Sequence, residues 1–463
     1  MRAAAIASGQ GARLGVANAL LLQAGARRNL GDAKKAMEPA QEARRLFESA
    51  GDQHGVAAAL NHLGNSQADL GDLDAARKSY EGVLEVARRT GARRAEAGAL
   101  DNIASIVGDQ GDLAAARRMS DQALAIYREI GDRAGEATTL NNIGAALISR
   151  GDLEGARASF ERAVPIYRDT GDQGGLAIAL NNIAEMKANQ GDVASAAKSF
   201  EESERIFRES GQRSKSVYPL VGLAGIRLES GDLAGATTMF DTAAEICRAA
   251  QDRHELAYVV SGLGRIAVEE DRLPDARARY EEALKIRTEL GEKAAAGQSS
   301  VDLARLSYEE GDVASALARA RAAADAFRKQ SLSDDEASAL SVAARAAARL
   351  GKKDEAAATL EQARLTSKNS QHDGVRRDLV LAGAAVQAAR GQNEAARQTL
   401  LDAARRARAN GLETFAFDAR LAALEIALTS GRGAAVSAEA DELERDARAK
   451  GFTRVARIAA AAP

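Results

Sequence analysis

The chain has 463 residues, 46% hydrophobic but only 3% aromatic, with no Trp, one Cys and a net charge of −3. That balance excludes a non-specific nucleic-acid binder, which needs a marked basic excess. A lone Cys247 excludes an internal disulfide and points to a reducing compartment. The charge is uneven, +4 over residues 1–50, −12 over 51–340 and +5 over 341–463, so the acidic middle favours a basic or polar partner.

From the start of the chain, residues 3–24 are too interrupted by Arg13 and glycines for a signal peptide or a membrane span. The cytoplasm is therefore the expected location, with no membrane partner. Stepping by twenty from residue 11 to residue 451 meets glycine at 19 of 23 positions, the exceptions being Gln251, Asp271, Ser331 and Gln371. In ten cases Asp follows. A fixed period of this kind marks a repeat architecture.

Residues 1–11 read as the remnant of a second helix whose partner would lie upstream, so the chain is expected to be part of a longer protein or to have a mis-assigned start. Hairpins then begin near residues 12, 52, 92 and onward to 412. Residues 12–330 form the regular array. Pro39 and Pro165 fall inside second helices, where a kink or broken turn is expected, whereas Pro274 falls in a first turn, where proline is tolerated. Residues 331–450 read as degenerate repeats: Ala320 and Leu360 fill slots that are aromatic earlier, and Gly is lost at 331 and 371. Residues 451–463 read as a C-terminal capping helix.

The repeating unit is 40 residues, and residues 132–170 show why it folds. Leu140, Ile143, Gly144 and Leu147 lie at i, i+3, i+4 and i+7, the stripe of an amphipathic helix. Gly151 ends that helix, because a left-handed residue costs least without a Cβ, and Asp152 caps the next. The second helix presents Ala156, Phe160, Ala163 and Tyr167 on one face. The Ala156 slot is Ala in ten successive units, from Ala36 to Ala396, and a small residue there lets two helices approach closely. Tyr80, Phe160, Phe200, Phe240 and Tyr280 share one aromatic slot; Phe47, Tyr127, Tyr167 and Phe207 share another.

Blocks such as Leu140-Asn141-Asn142-Ile143-Gly144 followed by Gly151-Asp152-Leu153 resemble the tetratricopeptide repeat, in a long variant rather than the 34-residue form. They are similar to the repeats of kinesin light chains, of the Leu-Gly-Asn adaptors and of the superhelical region of maltose-type bacterial activators. The resemblance covers nearly the whole chain. It implies an all-α fold, a right-handed α-solenoid of about 11 antiparallel helix-turn-helix repeats.

Enzyme signatures fail one by one, so the expectation is a chain that is not an enzyme and needs no cofactor. His254-Glu255 opens an H-E-x-x-H string that Tyr258 breaks, and His54, His62 and His372 form no metal-ligand cluster. Gly262-x-Gly264-x-x-Ala267 lies within a helix and follows no strand, unlike a dinucleotide fingerprint. Cys247 has no apparent triad and reads as a small core residue.

What remains is the first-helix stripe opposite the core, which the resemblance places along a concave groove. Early repeats offer Asn61, Asn102, the Asn141-Asn142 pair and the Asn181-Asn182 pair there. The resemblance implies that such asparagines hold the backbone of an extended peptide; alternatively they bond within or between neighbouring helices. An amide both donates and accepts, which suits backbone recognition. Middle repeats add Tyr218, Tyr258 and Tyr308, and one slot carries Arg265, Arg305 and Arg345. Tyr and Arg are enriched at binding hot spots. Glu229, Glu269 and Glu309 lie near helix C-termini, where the macrodipole disfavours them; they either serve function or pair with arginines as a solvated ion network.

The expected function is a non-catalytic scaffold that binds a protein or an extended peptide, as the sensor or docking region of a bacterial signalling or regulatory protein. The Ala/Arg/Gly-rich composition suits a GC-rich bacterial genome. The alternatives are a small-ligand-sensing module of a transcriptional activator, or the C-terminal region of a Ser/Thr kinase or cyclase whose catalytic domain lies upstream. No direct nucleic-acid contact is expected, and oligomeric state is left open.

Overall fold

The computed structural model describes residues 2–29, 32–110, 112–148, 151–430 and 433–462. Among them are 23 α-helices and no strand, joined as tandem antiparallel hairpins, so the fold class is the all-α solenoid that the period implies.

The turns form as the Gly-Asp chemistry requires. Between helices Gln53–Asp69 and Leu73–Thr90, Gly71 takes φ 77° and its N–H donates to the Ala68 carbonyl. Asp72 then caps the second helix, its carboxylate accepting the Ala75 N–H at 3.1 Å. Three of the four positions without glycine keep this geometry at some strain: Gln251, Asp271 and Ser331 have φ of 56°, 61° and 58°. At 371 the turn is remade instead. Helix Lys353–Thr366 stops early, and the next helix, Asp373–Ala389, starts on His372, whose ring Nδ1 accepts the Gly374 N–H at 3.1 Å.

Packing follows the small-on-large register. Ala156, Ala196, Ala236 and Ala276 are fully buried, and Phe160, Phe200, Phe240 and Tyr280 are nearly so. Close approach is literal at Gly144, where a Cβ would stand 2.6 Å from the Phe160 ring. Three positions where the sequence places a turn, or a kink or broken turn, stay within a helix. Helix Arg2–Asn29 runs unbroken through Gly11, where the period places a turn. Helices Ala33–Ala50 and Leu153–Thr170 also continue through Pro39 and Pro165, which lie inside them. Pro274 sits in the first turn of helix Leu273–Glu289, as expected. Gly31, Gly111 and Gly431 lie outside the described residues.

Contacts divide the chain into two compact units, Met1–Ala146 with Gly155–Ala179 and Leu147–Glu154 with Leu180–Pro463. In the first unit, each hairpin packs on its sequence neighbour. The second unit adds contacts of long range. One hydrophobic core joins Leu228, Leu233 and Phe240 to Phe417, Leu424, Phe452 and Val455, nearly two hundred residues later. The Thr414 hydroxyl donates to the Leu228 carbonyl at 2.6 Å, and Arg454 reaches Glu269, Glu309 and Asp418. The second unit therefore closes on itself, its late helices docking by their N-terminal ends on the C-terminal ends of its early ones.

Candidate functional site

In the first unit, the polar residues of the first helices form bonds between repeats. The Asn102 amide donates to Asn61 Oδ1 at 3.4 Å, and the Asn142 amide donates to Asp101 Oδ2 at 2.9 Å. The spacing of 41 residues in both bonds shows one rule: the second residue of a pair reaches back to the first residue of the preceding pair. Asn141 is buried, Asn61 and Asn102 are half-buried and Asn142 is exposed. Asp101 is buried, and this burial pushes its carboxyl up to about 6 against the pull of the Asn142 amide. Its Oδ1 is shut off from solvent, and the Thr139 hydroxyl also draws the carboxyl down. Both readings of the asparagines therefore have a physical basis. They do bond between helices, yet each amide has four hydrogen-bonding positions, and the bonds of Asn61, Asn102 and Asn142 use one apiece.

The second unit holds the other candidates in two groups. Asn181 is buried and donates to Glu185 Oε1 at 3.0 Å, while Asn182 is half-buried. Tyr258 is half-buried, edge-on to His254 and capped by the Arg287 guanidinium 4.4 Å from its ring centre. His254 in turn meets Glu292 at 2.5 Å and Glu255 at 3.5 Å. Burial pushes the Glu255 carboxyl up to about 7 although His254 draws it down. Tyr218 is 41% exposed.

The arginine slot is largely occupied by the unit's own carboxylates. Arg265 pairs with Glu229 at 2.5 Å, and Arg377 grips the same Glu229 at 2.8 Å. Burial opposes ionisation of Glu229, but the two guanidinium groups outweigh it and hold the carboxyl at about 2. Arg305 bonds Asp378 and Asp302, with the Ser338 hydroxyl as a third partner. Arg345 lies instead over the Tyr308 ring. The glutamates at helix ends thus form ion pairs, and at Glu269 the pair is buried rather than solvated. Glu269 is 7% exposed and its partner Arg454 only 4%, and burial pushes Glu269 up to about 7.

Several of these partners were legible only in part. Arg287 falls in the slot of Phe47, Tyr127, Tyr167 and Phe207, so a cation in an aromatic register was a visible departure. It is buried, donating to Ser299 Oγ at 2.7 Å. Arg377, Asp378 and Arg454 act across more than a repeat, and no period reveals such pairs. Cys247 is buried, as read from the sequence, and burial pushes its thiol up to about 12. Two surface cavities, of about 450 and 520 Å³, are lined by Asp354, Arg364 and Gln387 and by Gln23, Glu38 and Arg45, and contain none of the candidates. Among the described residues no helix is long and apolar enough to cross a membrane.

Residues 55–129, 95–169, 135–209 and 217–289 each match the family model described as a tetratricopeptide repeat. Among solved structures, a Rap protein complexed with Competence and Sporulation Factor matches 77% of this chain and 98% of its own, at 14% identity and a TM-score of 0.57. The apo form of the quorum sensor NprR from B. thuringiensis matches 67% of this chain and 87% of its own, at 16% identity and a TM-score of 0.51. At such identities the likeness is one of fold. A comparison with curated proteins finds no matching sequence.

Proposed function

Since the chain is a tetratricopeptide-repeat protein, we propose that it is a non-catalytic scaffold whose first unit holds an extended peptide, or such a segment of a partner protein, along its first helices. The observation that carries this reading is the unused bonding capacity of Asn61, Asn102 and Asn142, three amides fixed in register by bonds between repeats. An extended peptide offers alternating N–H and C=O groups, and an amide answers either one. Preorganisation by the ladder lowers the entropic cost of binding.

In the second unit Asn182, Tyr218 and Arg345 are the candidates that reach the surface, whereas Asn181, Tyr258, Arg265, Arg305 and Tyr308 contribute through internal contacts. A role as the sensor or docking region of a bacterial signalling protein fits the fold shared with a Rap protein that was seen complexed with a factor. Two measurements on the pure chain separate this reading from a metabolite sensor. Random peptides displayed on phage should be retained by the wild-type chain and released by Asn102→Ala with Asn142→Ala. Thermal stabilisation by a metabolite, with peptide retention indifferent to both substitutions, would overturn the reading.

A further inference from the structure

Arg265, Arg305 and Arg345 occupy one slot on three successive first helices, and only two of them are matched by the protein. Arg265 has Glu229, and Arg305 has Asp378, Asp302 and Ser338. Arg345 forms no hydrogen bond, and no ion pair within 4.0 Å, with any described residue. Its guanidinium lies 4.7 Å from the centre of the Tyr308 ring, and that of Arg349 lies 4.8 Å from the same centre. Arg349 donates once, to the Tyr308 carbonyl at 3.2 Å, and it too lacks an ion pair.

Two like charges thus share one phenol ring with no carboxylate bonded to either. Stacking on the ring attracts a cation but leaves its N–H donors unsatisfied. The acids nearby are already engaged: Asp378 by Arg305, and Glu309 and Asp418 by Arg454. Glu425 is exposed and stands outside ion-pair distance, so it competes with a ligand only through the field that Arg349 and Arg345 exert on it. Planar forks held on a rigid ring match the two oxygens of a carboxylate.

We propose that Arg345 and Arg349, seated on Tyr308, form a carboxylate-binding site in the second unit, taking either the terminal or side-chain carboxylate of a peptide or a small polycarboxylate. The site goes beyond the asparagine face of the first unit and does not depend on it. The test uses the full ¹⁵N-labelled chain and the Nε–Hε signals of its arginines, with Arg345 identified by its loss in Arg345→Lys. Three probes are titrated: citrate, tri-glycine with a free C-terminus, and tri-glycine amide.

The Arg345 signal should move saturably with a carboxylate probe and stay fixed with the amide. A response to tri-glycine assigns a peptide carboxylate as the source, and a response to citrate alone assigns a small polycarboxylate. Both Arg345→Gln and Arg345→Lys should weaken binding about tenfold or more, since each removes the guanidinium fork. The Lys variant keeps the charge, which secures the comparison if the Gln variant fails to fold. No saturable movement with either carboxylate, an equal response to the amide, or undiminished binding in a folded Lys variant would overturn the proposal.

Discussion

At Gly144 a single methyl group decides whether two helices fit. The added Cβ of Gly144→Ala would stand 2.6 Å from the Phe160 ring, which is itself buried, so the ring must move or the helices separate. The net cost is expected at about 1–2 kcal/mol, because overpacking by up to about 3 kcal/mol exceeds the roughly 1 kcal/mol that alanine gains in helix propensity. Urea unfolding monitored by circular dichroism checks it, and a neutral or stabilised variant would contradict the packing. Ser331 makes the converse prediction. Its φ of 58° is strained for a side chain, so Ser331→Gly should stabilise its turn by about 1 kcal/mol, read as slower hydrogen exchange at helix Ser333–Arg349. Both positions were legible, because slot and period name the residue that each place needs. Arg287 shows the limit at this scale: its departure from the aromatic slot was visible, but the cap it forms on Tyr258 required coordinates.

Elements in this chain are bounded by caps, most of the side-chain caps being Asp, and one cap is a histidine. At the start of helix Asp373–Ala389, His372 takes the place of the usual Asp and must be neutral at Nδ1 to accept the Gly374 N–H. Burial lowers its pKa below the usual 6.5, although Asp334, Asp335 and Asp378 pull the other way; Arg377 adds to the lowering. The unfolded chain therefore takes up this proton more readily than the folded one. Stability from His372 is complete above pH 6.5 and is lost as pH falls towards the depressed folded value. Hydrogen exchange in helix Asp373–Ala389 should thus speed up relative to neighbouring helices on acidification through that window, and His372→Asp should remove most of the change. Equal pH dependence in the two proteins would contradict the cap. Helix order, hairpin length and the Gly-Asp turns were all legible from the period. Persistence of helix through Pro39 and Pro165 was not, because neighbouring helices hold a segment whose own propensity favours a break.

Across the molecule, the second unit depends on contacts that no local pattern encodes. Arg454 is almost fully buried and bonds three carboxylates, Glu269, Glu309 and Asp418, from helices up to 185 residues away. Arg454→Met should leave buried Glu269 and half-buried Glu309 and Asp418 without this counter-charge, at a cost of about 3–5 kcal/mol to the closure. Faster exchange in helices Arg253–Glu269 and Thr453–Ala460 together would report it; unchanged protection there would show that the apolar core alone keeps the unit closed. This is also where the candidate site was least legible. The Tyr and Arg stripe was visible, but whether each arginine faces a partner or a carboxylate of its own unit depended on that closure. The asparagine face of the first unit carries the central claim, and one measurement addresses it most directly: the affinity of a display-selected peptide, by fluorescence anisotropy, for the wild-type chain and for Asn102→Ala with Asn142→Ala. The account predicts binding weakened about tenfold or more, with helicity unchanged; equal affinity for the two proteins would contradict it.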